Sequence, residues 1–325
     1  MNRRATIIGL AVGLPVSAFF LWLAIRRADL GLVWETLRSA SIGEILLAVV
    51  AMGGVYLIQA EHWRRIAQVP LRLRRFFEFV LCGIGCNNVL PGRLGDLLRA
   101  RWLGLDAHIP GGRALATVVL DRGSDLVGLV IVLLITLPFV TPAAWLGWIV
   151  VGSVLAIGFL FVMLAGARRY SRTRERDRAT GEARGVLRRV ARDVVDGLAE
   201  PLGRRRLAKV LALSLAAWAM WAVGAMLVGR SVGVELSLVE ALFVAAVINL
   251  GVAIPSSPGF VGTYQWLAIA ALGLFDVPRE DALAFAILMQ AVWYVPTTIS
   301  AAVLLGGRAI QRAAQARRQE TVSIS

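Results

Sequence analysis

Asn87-Asn88-Val89-Leu90-Pro91-Gly92-Arg93-Leu94-Gly95-Asp96 interrupts the apolar segment 76–90, and its reading decides the fold. Pro91 ends a helix because it lacks an N–H and its ring collides with the preceding turn, while Gly92 and Gly95 permit a tight reversal. The segment is basic where it begins, at Arg74 and Arg75, and basic where it ends, at Arg99, Arg101 and Arg113. Arg-rich loops stay cytoplasmic, so a stretch basic at both ends starts and finishes on one side of a membrane. The sequence therefore predicts a re-entrant hairpin entering from the cytoplasmic face.

Outward from this break the chain is 58% hydrophobic, with a mean hydropathy of +0.71. That excess over a globular composition has to face lipid. Crossing a hydrocarbon core of ~30 Å takes about 20 apolar residues. Six runs qualify: 7–25, 42–60, 114–137, 144–166, 208–230 and 282–306. Arg3 and Arg4 precede the first run, which is read as a retained span because no small-residue cleavage site ends it.

With the N-terminus inside, the basic segments fall on one side. Arg64, Arg65, Arg72, Arg74 and Arg75 lie in 61–75, thirteen Arg and Lys209 lie in 167–209, and the tail carries Arg308, Arg312, Arg317 and Arg318. The uncharged tip 138–143 lies outside. Arg26, Arg27 and Arg38 fall in the outward loop 26–41, where 30–40 reads as an interfacial amphipathic helix. This sidedness accounts for the net charge of +14 without nucleic acid, since no stacking aromatics interleave the basic residues.

The same bookkeeping applies near the C-terminus. Segment 237–275 begins and ends outside, and its two apolar halves are joined by Ile254-Pro255-Ser256-Ser257-Pro258-Gly259-Phe260-Val261-Gly262. Both breaks carry Pro-Gly-x-x-Gly, and each follows an Asn-containing apolar helix, with Asn87 and Asn88 in one and Asn249 in the other. Opposite entry faces with a shared pattern suggest an inverted repeat of the kind transporters use. The expected fold is an all-α polytopic membrane protein with about six full spans and two oppositely oriented re-entrant hairpins. Residues 1–306 form the transmembrane domain, with 167–207 as a basic cytoplasmic loop, and 307–325 form a basic cytoplasmic tail.

Non-helical backbone at membrane depth has to line a cavity or be buried in protein, because unsatisfied N–H and C=O groups in lipid cost several kcal/mol. The breaks therefore mark a cavity, and the half-helix after each presents N–H groups suited to an anion such as a lipid phosphate. Arg93 and Arg99 stand beside the first break as bidentate partners for it. Asp121-Arg122-Gly123-Ser124-Asp125 lies within span 114–137, with Asp121 and Asp125 on one helical face roughly 10 Å and 16 Å from its start. Charges at that depth face a cavity or one another. They read either as a proton- or cation-linked site or as an ion-pair anchor for Arg93 or Arg99.

Four other residues read as ordinary. Cys82 and Cys86 are four apart in an apolar helix with no ligand set around them, and His62 and His108 are isolated. Within the basic loop, 183–202 reads as a helix skimming anionic headgroups.

Leu90-Pro91-x-Arg93-x-Gly95-Asp96, Asp121-Arg122-x-x-Asp125-Leu126 and Pro255-x-x-Pro258-Gly259-x-x-Gly262-x-x-Gln265 together resemble the transmembrane, flippase-like domain of the lysylphosphatidylglycerol synthase family, over about residues 5–306. Asp96 and Asp121 stand where Glu is common, which keeps the charge and shortens its reach, and Gln265 stands where an acid is common, which removes the charge at the second hairpin. The resemblance implies lipid translocation between leaflets. About 19 residues follow Gly306, too few for a soluble aminoacyl-transferase domain, so a stand-alone relative is expected.

The expectation is an integral membrane flippase or transporter for an anionic phospholipid or a polyprenyl-phosphate-linked precursor, in the inner membrane with both termini cytoplasmic. Its cavity is assigned to Asn88, Pro91, Arg93, Gly95, Asp96, Arg99, Asp121, Arg122, Asp125, Asn249, Pro255, Ser256, Pro258, Gly259, Gly262 and Gln265. No catalytic residue, metal or cofactor is assigned, and a homo-oligomer or an envelope-biosynthesis partner is compatible. The competing readings are a membrane-embedded transferase using a polyprenyl-phosphate donor, with Asp96, Asp121 or Asp125 as base or ligand, and an accessory subunit acting through its basic loop.

Overall fold

Where no water is available to a free N–H or C=O, an apolar chain pairs its backbone within each segment, and helices result. The computed structural model describes residues 15, 18–90, 94–141, 143–176, 186–200, 203–252 and 258–324. The regular structure among them is α-helix with short 3-10 turns: α1 (Leu30–Ser39), α2 (Ile42–Ala67), α3 (Leu73–Val89), α4 (Leu94–Ala107), α5 (Gly111–Thr136), α6 (Ala144–Arg176), α7 (Val186–Ala199), α8 (Arg204–Ser231), α9 (Leu238–Gly251), α10 (Thr263–Leu272) and α11 (Arg279–Ile324). The protein is all-α.

Four segments are long and apolar enough to cross a membrane: Ile42–Ala67, Ala144–Tyr170, Arg204–Ser231 and Arg279–Gly307. Helix α5 matches α2 in length at 26 residues but carries Asp121, Arg122 and Asp125 in its middle. Of the run 7–25, residues 15 and 18–25 are described and helical, and the remainder lies outside the described residues. Helix α6 is peripheral, with Trp148, Leu155, Phe159 and Val162 exposed along a surface that suits lipid tails.

Helix α9 is the opposite case. It is apolar all round, and Ala241 and every residue from Phe243 to Ile248 are fully buried, so its neighbours are protein on every side. Ser237 and Glu240 start it with a capping box. Its 14 residues span about 21 Å, short of the ~30 Å core. It turns through Pro258–Phe260 into the still shorter α10, which packs back on it. Helices α3 and α4 form the matching helix–break–helix unit near the N-terminal side.

Glycine sets how closely the first unit folds. A Cβ on Gly95 would lie 1.9 Å from the Gly83 carbonyl oxygen, and one on Gly85 would lie 2.4 Å from that of Thr297. Side chains at these two positions would push α3 off α4 on one side and off α11 on the other.

Helix α7 makes a contact that the sequence did not predict. Its apolar face packs against protein: Val194, Val195 and Leu198 pack with Ala116, Val119 and Leu120 of α5 and with Met163, Leu164 and Ala167 of α6. Gly112 and Gly197 allow the approach, since a Cβ on Gly112 would meet Val190 O at 2.5 Å and one on Gly197 would meet the Ala116 Cβ at 2.7 Å. Arg113 pairs with Glu200 at 3.0 Å. The C-terminal part of this stripe is covered by protein, while Val190 remains exposed.

Candidate functional site

The two breaks meet. Asn88, on the last turn of α3, directs its Nδ2 at Thr297 Oγ1 (3.0 Å), Thr298 Oγ1 (2.9 Å) and the Tyr294 carbonyl (3.3 Å). Both hydroxyls spend their own hydrogens on carbonyls of α11, which leaves their lone pairs to accept from the amide. Tyr294 Oη returns a hydrogen bond to the Asn88 carbonyl at 3.2 Å. From the other break, Gly259 sits at φ +73°, against the Tyr294 ring and near the same carbonyl. All of this surrounds Pro296, which lacks the N–H that would hold the Val292 carbonyl in a regular helix.

Each break closes on an amide side chain. At the first, Asn87 Oδ1 accepts from the Gly95 N–H at 2.7 Å, and Asp96 adds a negative charge in the first turn of α4. At the second, Gln265 Oε1 accepts from the Gly262 N–H at 2.6 Å, and Gln265 Nε2 donates to Gln290 Oε1. Gln290 in turn donates to the Gly259 carbonyl. A carboxylate at 265 would accept but not donate, so the amide here ties the break to α11.

Beneath the first break lies a buried charge network drawn from three helices. Asp121 of α5 takes Arg99 Nη2 of α4 at 2.8 Å on one oxygen and His62 Nδ1 of α2 at 2.7 Å on the other. Arg99 Nε lies 3.1 Å from Asp96 Oδ1, and Arg122 Nη2 bonds the same oxygen at 2.8 Å. Asp125 accepts from Ser214 of α8 at 3.0 Å. His62, Arg99 and Asp121 are buried. Arg99 lies over the Trp63 ring, 4.8 Å from its centroid, and Trp63 Nε1 is anchored on Thr117 Oγ1 at 3.0 Å. Gly83 leaves the room that the Arg99 stem occupies.

A cavity with space for about one water molecule lies among Gln59, His62, Arg99, Asp121, Arg122 and Asp125, with Val80 and Ile84 as its apolar wall. Among the described residues no group of three or more His, Cys, Asp or Glu is arranged to hold a metal ion. Cys82 and Cys86 are buried.

The structure thus brings Asp96, Arg99, Asp121, Arg122 and Asp125 together, with Asn88, Gly95, Gly259, Gly262 and Gln265 around the two breaks. Asn249 hydrogen-bonds the Ala245 carbonyl of its own helix, and Pro258 opens the 3-10 turn. Pro91, Arg93, Pro255 and Ser256 lie outside the described residues. His62, read from the sequence as isolated, belongs to the network, a correction to that reading. Trp63, Ser214, Gln290, Tyr294 and Thr297 also escaped the sequence reading. For His62 a signal existed: an imidazole within an apolar helix needs a polar partner, and three intramembrane carboxylates were available.

These features define a polytopic α-helical membrane protein with two broken helical units joined over a buried ion-pair network. The family model for the lysylphosphatidylglycerol synthase TM region matches residues 6–301, and the chain belongs to that family. Among curated proteins, a UPF0104 membrane protein of Methanothermobacter thermautotrophicus is 23% identical over 308 residues, covering 86% of this chain and 90% of the relative.

Proposed function

We propose that the protein is a flippase or transporter that moves an anionic-headgroup lipid, or a lipid-linked precursor, between the leaflets of the inner membrane. In this reading both termini are cytoplasmic, and the units α3–α4 and α9–α10 re-enter from opposite faces. The observation that carries it is the meeting of the two breaks at Asn88, Gly259 and Tyr294. Backbone broken at membrane depth and packed beside the Pro296 turn of one helix is the kind of arrangement transporters use at their substrate sites.

The charge network supplies the headgroup chemistry. Arg99 and Arg122 are neutralised by Asp96 and Asp121 at rest, so a lipid phosphate binds by taking a carboxylate's place on a guanidinium. Arg122 Nε is buried without a hydrogen-bond partner, which leaves a donor for a phosphate oxygen. Arg93 and the Pro-Gly segments complete the proposed path.

Leaflet-resolved translocation in proteoliposomes tests this, using fluorescent phospholipids and polyprenyl phosphates with wild type, Arg93→Ala and Asp121→Asn. Loss of at least about tenfold in both folded variants, seen for one headgroup class, is the expected result. A folded wild type that moves no lipid overturns the reading in favour of a membrane transferase or a partner-dependent subunit.

A further inference from the structure

The carboxylates of the network are not all held alike. Among its described members two guanidiniums, Arg99 and Arg122, face three carboxylates, Asp96, Asp121 and Asp125. Asp125 is the carboxylate without a guanidinium: its hydrogen-bond partner is the Ser214 hydroxyl, and it opens onto the cavity that His62 also lines. A proton added here goes to either His62 or Asp125, which line one cavity.

The hydrogen bonds around His62 accommodate that proton. Nδ1 faces Asp121 Oδ1 at 2.7 Å, so it carries a hydrogen. Nε2 faces Ser124 Oγ at 3.2 Å, and that hydroxyl also lies 2.8 Å from the Leu120 carbonyl, which competes for its one hydrogen. A neutral ring leaves one donor too few: with Nε2 bare, imidazole and carbonyl compete for a single O–H. With Nε2 protonated, the ring donates to Ser124 Oγ and the hydroxyl donates to Leu120, and every hydrogen has an acceptor. The charged and titratable groups sharing the cavity with the ring are Asp121, Arg122 and Asp125 from α5 and Arg99 from α4, with Asp96 paired to Arg99; α8 contributes Ser214 at Asp125, and α3 contributes the apolar Val80 and Ile84.

We propose that His62 and Asp125 form a proton-binding site, filled and emptied through the cavity between them. Its role rests on the transport reading: the proton moves with the conformational change and so couples translocation to a pH gradient. Filling the site either neutralises Asp125 or sets a positive imidazolium beside Asp121 and Asp125, which lowers the electrostatic cost of carrying these carboxylates through an occluded state. The proton comes from bulk water and returns to it, with no other bond made or broken.

The chain has two histidines, which makes the site directly readable. His108 is exposed at φ +54°, a conformation Asn adopts readily, so His108→Asn leaves His62 as the single imidazole. Imidazole nitrogen NMR of this variant in nanodiscs, together with infrared difference spectra of the carboxylic-acid C=O stretch, is recorded between about pH 5 and 8. The expected result is one titration reported by His62 or by a carboxylic-acid band. Adding Asp125→Asn should abolish that band and move the His62 titration by about tenfold in proton concentration. A single imidazole tautomer with no carboxylic-acid band across the range, or a titration that Asp125→Asn leaves unchanged, overturns the site.

Lipid translocation under an imposed pH gradient tests the coupling. Wild type should respond and Asp125→Asn should not; a wild type that moves lipid indifferently to the gradient overturns the coupling. If wild type moves no lipid at all, the transport reading fails, and the spectra still decide the proton site by themselves.

Discussion

Arg99 Nη2 stands 2.8 Å from Asp121 Oδ2, both side chains at least nine-tenths buried, and this pair joins the first broken unit to the charged helix behind it. Buried pairs of this kind contribute modestly when intact and cost about 3–5 kcal/mol when one partner is removed, because an unpaired charge remains. Arg99→Met and Asp121→Leu should each lower stability by that order. The double variant Arg99→Met with Asp121→Leu should recover a large part of the loss. Unfolding in detergent, run as a double-mutant cycle, measures the coupling; additive losses would contradict the pairing.

The close approach of α3 to its neighbours predicts a contrast among glycines. Gly95→Ala forces a methyl into the Gly83 carbonyl and should destabilise by about 2 kcal/mol or more. Gly152→Ala on peripheral α6 meets nothing within 4 Å and should change stability by less than about 0.5 kcal/mol. Melting temperatures of the two variants, measured side by side, decide it.

At the meeting of the breaks, the losses should scale with the bonds removed. Tyr294→Phe removes one hydrogen bond to Asn88 and should cost about 0.5–1.5 kcal/mol. Asn88→Ala removes the amide from two hydroxyls and a carbonyl and should cost more, about 1–3 kcal/mol. Equal effects would mean that the amide is not what docks α3 on α11.

Gln265→Glu separates capping from donation. The substituted side chain retains an acceptor for Gly262 but, when ionised, offers no hydrogen to Gln290. The variant should be less stable than wild type at pH 8, and the deficit should shrink at pH 5, where a protonated acid recovers a donor. A deficit independent of pH would assign the effect to packing instead.

Burial of α7 on the bundle predicts that Leu198→Asp frees it. Trypsin cleavage within Val186–Ala199 should accelerate by about tenfold, while cleavage elsewhere stays unchanged. Equal rates in the variant and wild type would place α7 away from α5 and α6.

Much of the architecture was legible before any contact was known. Membrane class followed from uninterrupted apolar runs. The breaks at 91–95 and 258–262 followed from Pro and Gly, which act through local backbone sterics. Asp121 and Asp125 followed from the cost of charge at depth. Each of these signals acts within a few residues, and local effects are written directly into the order of the chain. The partners of those residues were not legible. His62 meets Asp121 across 59 positions, Ser214 meets Asp125 across 89 and Tyr294 meets Asn88 across 206. No periodicity records which helix faces which. The same holds for α7, whose amphipathic stripe specifies that one face is buried but not whether lipid or protein covers it. Those choices are made by packing: glycines that allow particular helices to touch, and buried polar atoms that have to find each other once water is excluded.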